Sequence, residues 1–159
     1  MIKTGFTLIE MVIVIAIIAI LSSLVLIFSY GVKVRKDVDS SVNSLAAVIR
    51  EAQQKSITQE NMTNWGVYLE SNVNTKKHFF SLIKTSKVNI INRYQIPTAL
   101  EFDTSLLNSL GGGLYEKEIT FTQLYGLPGS SDINIKIRIA NDPSSAKQIT
   151  IYTNGTVSY

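Results

Sequence analysis

The chain has 159 residues, of which 45% are hydrophobic and 17% charged, and a formal net charge of +3 from 15 Lys and Arg against 12 Asp and Glu. That length holds one modest domain beside a terminal helix, and so mild a positive balance does not by itself argue for a nucleic-acid partner. Cysteine is absent and His78 is the sole histidine, which excludes disulfides, Cys-based zinc sites, thiol nucleophiles and His-rich metal or relay chemistry.

The first predicted element is a helix from Phe6 to Tyr30. Its apolar run, Met11 to Phe28, carries no charge, and Ser22 and Ser23 are its only polar side chains. At ~1.5 Å per residue such a helix is long enough to cross a bilayer core of ~30 Å. Lipid offers no partner for backbone N–H and C=O groups, so a span of this kind must be helical. Glu10 sits at the edge of the run, where insertion scales charge an acid roughly 2.5–3.5 kcal/mol. Thr7-x-x-Glu10 fits a capping box, with the carboxylate in the first turn where it suits the helix dipole. A secretory signal peptide fits poorly, because Glu10 would share its charged region with Lys3 and no Ala-x-Ala site follows. Lys33, Arg35 and Lys36 follow the run, so a positive-inside count would keep the carboxy-terminal side in the cytoplasm.

The helix is expected to continue over residues 31–59 as an amphipathic half. Val34, Val38, Val42, Leu45, Ile49, Ala52 and Ile57 recur mostly at three- or four-residue spacing, with Lys36, Asp39, Asn43, Arg50 and Gln54 between them. No proline interrupts Phe6 to Gln59. Gly31 costs up to ~1 kcal/mol against alanine, so fraying or a bend is expected near Ser29–Gly31.

Residues 60–159 read as a β-rich globular domain. Short β-prone runs between turn residues predict antiparallel strands at Gly66–Leu69, His78–Ile83, Val88–Tyr94, Glu118–Phe121, Asn134–Ile139, Ile149–Thr153 and Thr156–Ser158. Ile133, Ile135, Ile137 and Ile139 alternate with Asn134, Lys136 and Arg138, the pattern of a half-buried strand. Asn154-Gly155 between two β-runs signals a hairpin. Gly111-Gly112-Gly113 and Leu127–Ser131 read as loops. The fold class is α+β: a long amino-terminal helix packed on an antiparallel sheet or sandwich.

No catalytic constellation emerges, and an enzyme is not expected. A lone His78 in a β-run reads as structural. The triple glycine lacks the spacing and the Lys-Ser/Thr of a phosphate loop, and Glu118, Asp132 and Asp142 lack an EF-hand spacing. No metal and no cofactor are expected. Asn61-Met62-Thr63 and Asn154-Gly155-Thr156 match a glycosylation sequon and are read as structural.

Gly5-Phe6-Thr7-Leu8-Ile9-Glu10, followed by its apolar run, resembles the processing site of type IV pilins and of the pseudopilins of type II secretion systems. The resemblance implies a leader, residues 1–5, cut by a prepilin peptidase between Gly5 and Phe6. It implies N-methylation of Phe6, and Glu10 as the carboxylate that answers the amino terminus of a neighbouring subunit. Residues 6–30 would span the membrane, with the leader cytoplasmic and the domain extracytoplasmic, and the chain would then enter a filament. Membrane lipid before assembly, other (pseudo)pilin subunits, the inner-membrane assembly platform and its ATPase machinery are the implied partners. Many pilins staple a carboxy-terminal loop with a disulfide, which this chain cannot do, and Ile27 stands where the family often has a proline. Arg50-x-Ala52-Gln53-x-x-x-Ile57, then Trp65-Gly66-Val67-Tyr68-Leu69, resembles the minor pseudopilins of the H type and their pilus relatives. The implied function is a minor subunit of a type II secretion pseudopilus or type IV pilus. The alternative is a DNA-binding minor pilin of an uptake pilus. Against it, the tail Asn154–Tyr159 carries no arginine, and Lys136, Arg138 and Lys147 read as a solvated strand face.

Overall fold

The structure, a computed structural model, describes residues 7–140 and 142–159, without the side chains of 24–30 and 143. Its first element is α1 (Leu8–Ile57). Helix is assigned without a break at Ser29–Gly31, so the expected fraying is not found. One glycine costs too little to interrupt a helix that no proline disturbs. The chain divides into two compact units, one ending at Lys36 and one running from Asp37 to Tyr159.

In the second unit α1 is amphipathic, as its spacing predicts. Val38, Val42, Leu45, Ala46, Val48, Ile49 and Ala52 are buried, while Asp39, Asn43, Arg50 and Gln54 are exposed. Ile57 departs from the reading and is 43% exposed. It stands five positions after Ala52, beyond one helical turn, and Ser56 takes the inward position instead. The Ser56 hydroxyl accepts the Trp65 N–H at 2.8 Å, which ties the last turn to the first strand. The helix also ends earlier than the expected Gln59, because Gln59 adopts a left-handed φ of 54°. A 3-10 turn, Glu60–Met62, follows.

Among the described residues the unit continues with nine strands: β1 (Trp65–Asn72), β2 (Lys77–Lys84), β3 (Ile90–Gln95), β4 (Leu100–Phe102), β5 (Asn108–Gly111), β6 (Leu114–Phe121), β7 (Ile133–Ile139), β8 (Asp142–Ile151) and β9 (Val157–Ser158). They form a five-stranded sheet, order β3-β2-β1-β6-β5, and a four-stranded sheet, order β4-β7-β8-β9. Every pairing is antiparallel. The buried core draws on both sheets: Val67, Leu69, Leu82, Ile119 and Phe121 from the first, Leu100, Phe102, Ile135, Ile137, Ile149 and Ile151 from the second. Ile135 and Ile137 are fully buried, and Ile133 and Ile139 at the strand ends are half-buried, which bears out the alternation read in β7.

β4 and β5 are not among the expected strands, and several bounds differ: β1 runs on to Asn72, β3 starts at Ile90 rather than Val88, β6 starts at Leu114, and β8 runs from Asp142 to Ile151 rather than from Ile149 to Thr153. β4 buries Leu100 and Phe102 but has only three residues, too short a run to show an alternation, while β5 is exposed throughout. Backbone pairing to a neighbour holds β5 and the early parts of β6 and β8, and pairing leaves no side-chain period to read. The last hairpin forms where Asn154-Gly155 places it, with a different turn. Only Gly155 has positive φ, and the Asn154 side chain accepts the Thr156 N–H at 3.0 Å. Tyr152 C=O accepts Gly155 N–H and Tyr152 N–H bonds Thr156 C=O, both at 2.9 Å, so a three-residue loop replaces the two-residue one.

Gly66 lies between β2 and β6 at the centre of the larger sheet, and a Cβ there would run into the Ile119 carbonyl oxygen, with Thr120 Cα at 3.0 Å. Both obstacles are backbone and cannot rotate away. Gly66→Ala is expected to destabilise the chain by about 1–3 kcal/mol, read as a lowered urea midpoint by tryptophan fluorescence of Trp65.

Candidate functional site

The capping box read at Thr7 and Glu10 is formed. Glu10 Oε2 accepts the Thr7 N–H and the Thr7 hydroxyl, each at 2.8 Å, and Thr7 Oγ1 accepts the Glu10 N–H at 3.3 Å. This satisfies two donors at the start of α1 that the helix itself leaves without partners. One carboxylate oxygen is thus engaged, and Oε1 has no partner among the described residues. Both donors belong to a neutral residue, and among the described residues no cation pairs with the carboxylate. Gly5 and Phe6, the expected cleavage and methylation positions, lie outside the described residues.

Beyond Glu10 the helix surface is apolar on every side. Leu8, Ile9, Met11, Val12, Ile13, Val14, Ile15, Ile17, Ile18, Ile20 and Leu21 are all exposed, far more apolar surface than a monomer in water leaves uncovered. Ser23, one of the two polar side chains, donates its hydroxyl to the Ile20 carbonyl at 2.7 Å, so it too suits an apolar medium. Among the described residues no helix is both long and apolar enough to cross a membrane. The first described stretch of apolar side chains covers Leu8–Ser23, roughly 24 Å of helix, and not the sequence run on to Phe28.

In the second unit His78 is structural. It is buried on β2, its Nδ1 lies 2.8 Å from the buried Ser71 hydroxyl, and its ring meets Phe102 edge-on at 6.4 Å. The Ser-His pair resembles a nucleophile and base only in composition, because both side chains are sealed from any substrate. Burial pushes the imidazole below its ordinary value, and the Glu101 charge opposes this. Two further groups had no signal in sequence. Lys117, half-buried, donates to the Leu106 carbonyl at 2.9 Å and contacts the Asn134 carbonyl at 3.4 Å, bridging the two sheets; burial lowers its ammonium pKa. On the larger sheet's outer face, Glu116 accepts from Lys87 at 2.6 Å and from the Tyr68 hydroxyl at 2.6 Å. The lysine, then the tyrosine, hold Glu116 below the carboxylate range, while burial, then Glu116, raises the Tyr68 phenol.

The expected solvated basic face on the smaller sheet is largely neutralised. Arg138 pairs with Glu101 at 2.8 Å and Lys147 with Asp39 at 2.7 Å, which weighs against phosphate binding there. Among the described residues no group of three or more metal-ligating side chains converges. A hollow of about 440 Å3 lined by Arg50, Gln53, Gln54, Tyr125 and Asn154 contains no nucleophile–base pair.

Comparison with known proteins agrees with this amino terminus. Residues 1–26 match the family model of the prokaryotic N-terminal methylation motif. The chain therefore carries a prepilin-type amino terminus, set on a long helix that leads into antiparallel sheets. Among solved structures it is similar to the type IV minor pilin FimU of Pseudomonas aeruginosa, at 15% identity and a TM-score of 0.48, over 76% of this chain and 90% of that one. A likeness at that level carries nothing about function. No curated protein matches the chain.

Because burial holds the His78 imidazole below its ordinary value of 6.5 in the folded chain, the unfolded state binds the extra proton as the pH falls below 6.5. Stability is fully present above pH 6.5 and is expected to fall as pH drops, by about 1.4 kcal/mol for each unit of depression. Urea titrations at pH 7.5 and 5 should show the loss, and His78→Asn should flatten it.

Proposed function

We propose that the chain is a minor (pseudo)pilin subunit, a structural rather than catalytic protein, that assembles into a type II secretion pseudopilus or a type IV pilus. The single observation that carries this reading is the methylation motif at residues 1–26 opening a helix with an all-round apolar surface. In lipid that surface needs no cover, and in a filament the same surface packs against neighbouring helices. A prepilin peptidase cuts between Gly5 and Phe6, releases the leader, and Phe6 becomes the methylated amino terminus. The helix anchors the subunit, with the leader side cytoplasmic and the β domain outside, until the assembly platform and its ATPase draw it into the filament. The segment Arg50–Ile57 with Trp65–Leu69 favours an H-type position within such an assembly.

Glu10 is the assembly carboxylate in this reading. The capping box refines its role. The acid is not bare in the isolated subunit, since Thr7 already engages Oε2, and Oε1 remains for an incoming ammonium. Pairing two charges out of water stabilises assembly only if both would otherwise stay uncompensated in lipid.

Intact mass of the membrane-purified protein should show loss of Met1–Gly5 and one added methyl; a chain still beginning at Met1 in its working form would overturn the reading. Glu10→Gln keeps an acceptor for Thr7 and removes the charge. It is expected to abolish filament incorporation while leaving helix content by circular dichroism unchanged. Normal incorporation of that variant would leave Glu10 with capping alone.

A further inference from the structure

Three exposed cations, Lys33, Arg35 and Lys36, follow the apolar stretch on α1, and none has a hydrogen-bond or ion-pair partner among the described residues. At 100° per residue they stand on different sides of the helix, away from the direction shared by the buried Val34 and Val38. The acids that follow offset them only in part. Asp39 is paired with Lys147 at 2.7 Å, which leaves the half-buried Asp37 alone against three positive charges.

Their depth is set by the helix. Glu10 and Lys33 are about 35 Å apart along the axis, and Glu10 and Lys36 about 39 Å. A bilayer has a hydrocarbon core of ~30 Å, and ~40–45 Å with its headgroups. With Glu10 at one boundary of the core, Lys33 falls in the headgroup layer of the opposite leaflet and Arg35 and Lys36 at its outer edge, where long side chains reach back to the phosphates. That is also the side from which a positive-inside bias would exclude them, so carrying them across is unfavourable unless something there receives them. Phospholipid phosphates suit both residue types: a guanidinium bonds phosphate oxygens in pairs, and an ammonium meets them as a point charge.

We propose that Lys33, Arg35 and Lys36 form a headgroup clamp that binds the phosphates of anionic phospholipid in the leaflet at the carboxy-terminal end of the span. The clamp rests on the membrane-anchored reading above. It holds the subunit at a fixed depth before assembly, and its lipid must be released when the helix leaves the bilayer, so anionic lipid opposes extraction.

The test uses the full chain in detergent with equal amounts of phosphatidylglycerol and phosphatidylcholine, and counts retained lipid by native mass spectrometry. Each basic residue near an anionic surface is worth roughly a fivefold preference. The wild type is therefore expected to retain phosphatidylglycerol at least ~10-fold over phosphatidylcholine, and Lys33→Gln/Arg35→Gln/Lys36→Gln to fall within about twofold of parity. Lys76→Gln/Lys77→Gln, at the turn into β2, should keep the wild-type preference. An equal loss in that control would reduce the effect to net charge and overturn the clamp. Displacement of the lipid by excess inorganic phosphate would make this a general anion site and also overturn it. Carbonate-resistant pelleting with neutral phosphatidylcholine vesicles separates the two readings. Pelleting without lipid preference sinks the clamp and leaves the anchor standing, whereas failure to pellet sinks both.

Discussion

The constraint on which the rest of this structure depends is that one helix must satisfy two different surroundings. Up to Ser23 the described side chains of α1 are apolar on all sides and uncovered. From Val38 to Ala52 only one face is apolar, and it is buried. A helix meets both demands without changing its backbone, because its hydrogen bonds close within the segment and leave the side chains to deal with the surroundings. Each end is closed by a side chain: Thr7 and Glu10 satisfy the first turn, and Ser56 joins the last turn to Trp65.

The domain from Asp37 onward has no disulfide, so its sheets are held by packing and a few polar ties. Ile135, Ile137, Ile149 and Ile151 from one sheet and Val67, Leu69, Leu82 and Ile119 from the other supply a core of small branched side chains. Polar ties then fix particular places. Lys117 links a 3-10 turn and β7 through carbonyl oxygens, Gln53 of α1 donates to Gly155 C=O at 2.8 Å, and Arg50 reaches the Tyr159 hydroxyl at 3.3 Å. These long side chains contribute more to the choice of one arrangement than to its net stability, since burying polar groups costs nearly what their bonds return.

The amino terminus has the opposite economy. Among the described residues its apolar side chains from Leu8 to Leu21 make no core, and only one oxygen of its acid is engaged. The Ser71–His78 pair and the Tyr68–Glu116–Lys87 cluster are well-formed but serve the fold, the first being sealed from solvent and the second being tied by its own ion pair.

What the sequence by itself determined are the features that depend on near neighbours. The capping box needs residues three apart, the amphipathic half needs the helical period, β7 needs alternation, and the last hairpin needs Asn154-Gly155. Ser56 lies outside this group: the helical spacing points to Ile57, and Ser56 is drawn inward by its bond to Trp65, nine residues on. The tertiary structure alone decided the order β3-β2-β1-β6-β5, the short edge pieces β4 and β5, the meeting of His78 with Phe102, and the reach of Lys117 to Leu106 and Asn134. Each of those joins separate segments: the strand order through backbone pairing that is indifferent to side-chain type, and the His78 and Lys117 contacts through the positions that this pairing gives their side chains. Which segments pair is settled by the collective burial of both sheets and the helix, a quantity that no local window of residues contains.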